Sequence, residues 1–291
     1  MGRESLPRWW YVGAAVLGLG LPTWSQLTSM QQHEWLNSPA AVSHIGDLTG
    51  KAKRAAMDYR RFCVGCHGEL GDGNGENAAW LDPKPRDFTL GVFKCRSTPS
   101  GTLPTDEDLY DTIARGLDRS NMPVWSTLNR RQLADLVAWI KHFSPRWQKE
   151  KAGAPIPIPA EPEVTPERVK QGREVYGKLQ CSKCHGVQGT ANGPSASTLT
   201  DDANRPIVAY NFTDGSRPKC GESDRDIYRM FMTGLDGTPM PSYADNIQPE
   251  EAWDLVFYLR TFQPPNQYNR REKEIARQLA LPPVDPNVLP Q

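Results

Sequence analysis

The sequence predicts an all-α protein: two small tandem domains joined by a proline-rich linker, behind an N-terminal signal or anchor helix. Three observations carry this. The run Cys63-Val64-Gly65-Cys66-His67 returns as Cys181-Ser182-Lys183-Cys184-His185, which puts His67 and His185 118 residues apart. Met122 and Met240 are separated by the same 118 residues, so each histidine is followed by a methionine 55 positions later. The intervening sequence repeats as well. Asp87-Phe88-Thr89 matches Asn211-Phe212-Thr213, Gly116-Leu117-Asp118 matches Gly234-Leu235-Asp236, and Asp135-Leu136-Val137 matches Asp254-Leu255-Val256. A period this long marks a duplicated domain and not a solenoid turn.

The five-residue run has the form C-x-x-C-H, the attachment signature of c-type haem. Two thiols at this spacing reach the two vinyl groups on one porphyrin edge, and the next residue turns an imidazole onto the iron. A single copy also reads as a redox dithiol or half a zinc site. Two copies, each followed by glycines, point to haem bound covalently through Cys63, Cys66, Cys181 and Cys184, with His67 and His185 as proximal ligands.

With the methionine spacing added, residues 50–262 resemble the dihaem class I cytochrome c family. They are similar to the c4 cytochromes and to the dihaem subunit of cbb3-type oxidases. The resemblance implies two haem c groups. It also implies Met122 and Met240 as distal iron ligands, since the family carries its ligand between two helices. Each methionine lies beside proline (Asn121-Met122-Pro123 and Pro239-Met240-Pro241), which ends helix and fixes a loop. The second domain has no histidine except His185, so its own residues cannot supply two. In the first, His142 on the closing helix is expected to face solvent.

In chain order, residues 1–28 form a signal or anchor segment. Arg3 and Arg8 precede sixteen uncharged residues, Trp9 to Trp24. The run is short for a membrane span but long enough for an export signal. No small-residue cleavage site follows it, and aromatics stand at both ends, so an uncleaved anchor and a cleaved signal both stay open. Either reading puts the haem domains on the periplasmic side of a bacterial cytoplasmic membrane. Residues 29–50, with His33 and His44, read as a solvated tether.

The first domain spans 51–145. Ala55, Tyr59 and Phe62 recur at helical spacing into Cys63. Thr105 caps a helix that starts with three acids and stops at Gly116. Asn129 and Gln132 form a capping box for the closing helix, whose Leu133, Leu136, Val137 and Ile140 face the helix before Cys63. Residues 146–165 read as a semi-rigid extended linker, with Pro155, Pro157 and Pro159 in alternation. The second domain spans 166–262. Thr165 caps its first helix, with Pro166 at the first helical position. A middle helix covers about 225–233, and a last helix starts at Pro249 with Trp253, Val256 and Phe257 apolar. Residues 263–291 form a tail: a short charged helix over 270–280 competes with four prolines that argue for a disordered or partner-bound end.

Formal net charge is zero, from 34 basic and 34 acidic residues, which gives no electrostatic support for nucleic-acid binding. Residues 51–145 carry 14 basic and 12 acidic groups, residues 166–262 carry 11 and 13; a contrast of +2 against −2 is too small to name a partner. Haem claims four of six cysteines. For Cys95 and Cys220, which both follow a lysine, three readings stay open: separate buried thiols, an inter-module disulfide, or a metal or haem ligand role. The insert from Pro83 to Pro104 and these cysteines depart from the simple family pattern.

The resemblance implies a one-electron carrier and not an enzyme, with no catalytic residues of its own. It would work in a respiratory or related chain as subunit or partner of a membrane oxidoreductase, between donor and acceptor redox proteins. The alternative is a dihaem cytochrome c peroxidase-like enzyme. That would need one iron without a distal ligand, against two equivalent methionine loops.

Overall fold

The computed structural model describes residues 41–266 and 269–280. The signal or anchor segment, most of the tether and residues 281–291 lie outside them. Among the described residues no helix is long and apolar enough to cross a membrane.

A hairpin opens the first module: β1 (Val42–Ile45) pairs antiparallel with β2 (Leu48–Lys51). Four helices follow, α1 (Ala52–Phe62), α2 (Val64–His67), α3 (Asp106–Arg115) and α4 (Arg130–Lys141). The starts of α3 and α4 are set by reciprocal capping, Thr105 with Asp108 and Asn129 with Gln132. Ala55 and Tyr59 of α1 meet Leu133, Leu136, Val137 and Ile140 of α4 in one core. The short helix α5 (Arg146–Lys149) continues past the expected boundary at 145, because Trp147 is buried beside Phe93 and under Lys141.

The second module repeats this plan as α6 (Pro166–Lys178), α7 (Ser182–His185), α8 (Asp224–Thr233) and α9 (Pro249–Phe262). Thr165 accepts from the Arg168 amide, and Pro166 takes a position whose amide has no helical partner. Helices α6 and α9 cross at Gly172: a Cβ there would lie 1.9 Å from the Asp254 carbonyl oxygen, so the backbones touch directly. Val169, Val175, Tyr176, Trp253, Val256 and Phe257 fill the core around this crossing.

Two expectations are corrected, for the tether and for His142, and two, for the linker and the tail, become more definite. Residues 41–50 are no tether. The Ser43 hydroxyl donates to the Ala134 carbonyl (2.7 Å), and the Lys51 amide to Asp135 (2.6 Å), so the hairpin is part of the first module's wall. His142 does not face solvent. It caps α4, bonds through Nδ1 to the Trp139 carbonyl (2.6 Å) and packs on Phe143. The linker is clipped at two points: the Gly153 amide donates to Leu103 O (3.3 Å) and the Ile156 amide to Ser97 O (2.8 Å), while Ile156 and Ile158 pack on the second core. In the tail, α10 (Arg270–Leu279) docks through Ile275, which is buried, and Lys273, whose Nζ donates to Thr261 O (2.8 Å). The prolines that suggested disorder follow this helix and do not interrupt it.

Candidate haem sites

Each C-x-x-C-H run forms one helical turn directly after the module's first helix. The Cys63 amide bonds to Tyr59 O (2.9 Å) and the His67 amide to Cys63 O (2.9 Å); in the second copy the Cys181 amide bonds to Tyr176 O (3.1 Å) and the His185 amide to Cys181 O (2.9 Å). The second copy holds one extra residue before the turn, Gln180, whose φ of +57° absorbs it. The two tyrosines therefore do the same thing from different spacings. Tyr59 Oη donates to Gly68 O (2.8 Å) and Tyr176 Oη to Gly186 O (2.7 Å), pinning the segment behind each histidine.

His67 Nδ1 lies 3.0 Å from Arg86 O, and His185 Nδ1 lies 2.9 Å from Tyr210 O. A carbonyl only accepts, so Nδ1 carries the proton in both rings and Nε2 keeps its lone pair for a metal. Burial lowers both pKa values, against the opposing pull of the carbonyl bonds, which favours the neutral, ligating form. The repeated Asx-Phe-Thr triplets support each ring from behind. Thr89 bonds to Asp87 Oδ1 through N (2.8 Å) and Oγ1 (2.6 Å), and Thr213 to Asn211 Oδ1 through N and Oγ1 (both 2.8 Å). The turn so formed sets Phe88 4.4 Å from the His67 ring and Phe212 4.9 Å from the His185 ring. The triplets were visible as a repeat, but the partners of Nδ1 are backbone carbonyls, which carry no sequence signal.

The two methionine loops share one hydrogen-bond pattern. Leu117 N bonds to Met122 O (3.1 Å) and Leu235 N to Met240 O (3.0 Å). The Met122 amide donates to Ser120 Oγ and the Met240 amide to Thr238 Oγ1, each at 3.2 Å. Gly116 and Gly234 begin these loops at φ +68° and +70°, where a side chain would also strike the Pro123 and Pro241 backbones. Each loop runs between the third and fourth helices of its module, and both methionines are half-buried.

The chemistry of this donor set fits haem c. Burial pushes the Cys63 and Cys181 thiols up to about 12, opposite to the depressed thiolates of dithiol redox sites. Among the described residues no group of three or more His, Cys, Asp or Glu side chains is placed to hold a metal ion.

Cys95 and Cys220 form a disulfide between the modules, with α-carbons 5.2 Å apart. Around it, Arg96 pairs with Asp236 (2.7 Å), Arg119 with Asp214 (2.8 Å) and Arg217 with Asp118 (3.1 Å), all across the module boundary.

Residues 50–140 match the family described as cytochrome c oxidase, cbb3-type, subunit III, and residues 169–263 match the family described as cytochrome c. The fold and both motif turns thus define two cytochrome c domains in tandem. No curated protein matches the chain. Among solved structures it is similar to a chain of the Kuenenia stuttgartiensis reducing HAO-like protein complex Kustc0457/Kustc0458. The two are 41% identical with a TM-score of 0.71, over 73% of this chain and 96% of that one. The chain belongs to the cytochrome c family, in its dihaem class.

Proposed function

We propose that the protein carries single electrons between redox partners through two haem c groups. Cys63 and Cys66 bind one covalently, with His67 and Met122 on its iron; Cys181 and Cys184 bind the other, with His185 and Met240. Haem supplies an iron that cycles between ferric and ferrous. The protein's part is to hold the same ligands in both states. The imidazoles are fixed by the Arg86 and Tyr210 carbonyls, and the thioethers by the two matching loops. Thioether sulfur favours the ferrous iron and so raises the reduction potential. The observation that carries the reading is the set of bonds the two loops share, from Leu117 and Leu235 to the Met122 and Met240 carbonyls and from the two methionine amides to Ser120 and Thr238. It also weighs against peroxidase chemistry, which needs one iron with an open face.

The work would be done on the periplasmic face of a respiratory or related chain, with the segment through Trp9–Trp24 as signal or membrane anchor. The solved relative belongs to a complex titled HAO-like, which supports a role as the electron-transfer subunit of an oxidoreductase assembly. The test is near-infrared absorption of the ferric protein, which reports sulfur on iron. The wild type should show two equivalents of the sulfur band, and Met122→Ala and Met240→Ala one each. A wild type with one high-spin haem would favour the peroxidase-like enzyme.

A further inference from the structure

The two methionine loops match internally, but they are held from outside in different ways. The second is gripped by the first module's insert. The Arg96 side chain is wholly buried (0% exposed), and its Nη2 donates to Thr233 O (2.5 Å) and Asp236 Oδ1 (2.7 Å). Its other nitrogens stay at home, Nη1 on Phe93 O (3.2 Å) and Nε on Pro99 O (3.3 Å), so the guanidinium bridges the insert and the loop. Ser100 Oγ donates to Asp236 Oδ1 (2.8 Å) and the Gly101 amide to Asp236 Oδ2 (2.9 Å). Thr233 and Asp236 flank Gly234-Leu235, and Leu235 N is bonded to Met240 O. The insert therefore fixes the loop on both sides of the residue that holds the Met240 backbone.

In the first loop the corresponding carboxylate, Asp118, meets Arg217 at 3.1 Å, with side chains 36% and 58% exposed, and the next residue, Arg119, reaches Asp214 (2.8 Å) and Ser216 (3.1 Å), with the Arg119 and Asp214 side chains 32% and 35% exposed. Exposed pairs of this kind are weak and screened by salt, whereas a buried, charge-assisted cluster is neither.

We propose that Arg96 is a positioning residue for Met240: the first module locks the second module's distal loop, and leaves Met122 as the more easily displaced ligand. This rests on the reading of Met240 as an iron ligand. It gives the insert from Pro83 to Pro104 a role that the simple family pattern lacks. Loss of the Arg96 contacts to the loop would be felt as a change in the second haem's ligation.

The test uses the haem-loaded protein in a Met122→Ala background, where any sulfur band comes from Met240. Imidazole is titrated into the ferric protein, and loss of the band is followed together with the second haem's midpoint potential. Arg96→Ala should lower the imidazole concentration needed by about tenfold, the loss expected when charge-assisted bonds to the loop are removed. It should also lower the potential. Arg96→Lys should fall between, and Arg217→Ala should match its parent. In the otherwise wild-type protein, imidazole should displace Met122 before Met240. If Arg96→Ala fails to assemble with haem, Asp236→Asn, which keeps the side chain's shape, decides the matter. A sulfur band absent from the Met122→Ala background would defeat the ligand reading itself. A band present there, with imidazole affinity and potential unmoved by Arg96→Ala or Asp236→Asn, would overturn the clamp alone.

Discussion

Replacing Cys95 and Cys220 together by serine should cost the folded protein about 2–4 kcal/mol. The bond closes a loop of 125 residues. In the chain-entropy account, a loop of that length restricts the unfolded state by about 5 kcal/mol at 25 °C. That value is an upper bound, since unfolded chains retain structure and haem attachment already constrains them. Each sulfur is also buried, so serine puts a hydroxyl where an apolar contact was. Neither cysteine is among the residues proposed to hold haem, and the Arg96, Arg119 and Arg217 pairs remain to hold the boundary. The double variant should therefore keep its ferric spectrum while unfolding at lower guanidinium. Because the modules have separate cores, its single transition should also divide into two. Equilibrium unfolding followed by far-ultraviolet circular dichroism, and by haem absorbance in parallel, reads both. A midpoint equal to wild type, under non-reducing conditions, would refute the loop-entropy reasoning. So would an altered resting spectrum, which would make the bond part of a haem site.

Two further outcomes concern the helix crossing and the module boundary. Gly172→Ala drives a Cβ into the Asp254 carbonyl, 1.9 Å away, and should destabilise the second module by at least about 1–3 kcal/mol, measured as loss of its unfolding midpoint. The structurally matching Ala55, placed four residues before Tyr59 as Gly172 is before Tyr176, should tolerate glycine at a cost near 1 kcal/mol. Lys94 is held down at about 8 by burial first, then by Arg86 and Lys219, against 10.5 for a free lysine. Between pH 8 and 10.5 the unfolded chain then binds more protons there than the folded one, so stability should rise with pH across that window, and Lys94→Met should flatten the rise. A fall across the same window would show an anionic group bound against Lys94.

Much of this protein is local, and local features are legible in the sequence. The C-x-x-C-H turn needs five consecutive residues, and the caps at Thr105, Asn129 and Thr165 each need four. The 118-residue repeat then states that whatever one module does, the other does as well. Those signals determined the fold class, the order of the helices and the family. The β1–β2 hairpin escaped because two four-residue strands bury only one side each, and their stability comes from Ala134 and Asp135, more than 80 residues away. The α10 helix was readable as a charged segment, but its docking was not: its apolar anchors, Ile275 and Leu279, mean nothing until α6 and α9 offer them a surface. Tertiary structure alone chose among three fates for Cys95 and Cys220, by bringing α-carbons 125 residues apart to within 5.2 Å. It alone also turned Arg96, one of 34 basic residues with nothing in its neighbourhood to distinguish it, inward across the module boundary. Sequence spacing fixes what a segment does with its own neighbours. A contact between remote segments depends on how two surfaces meet, and composition does not record that.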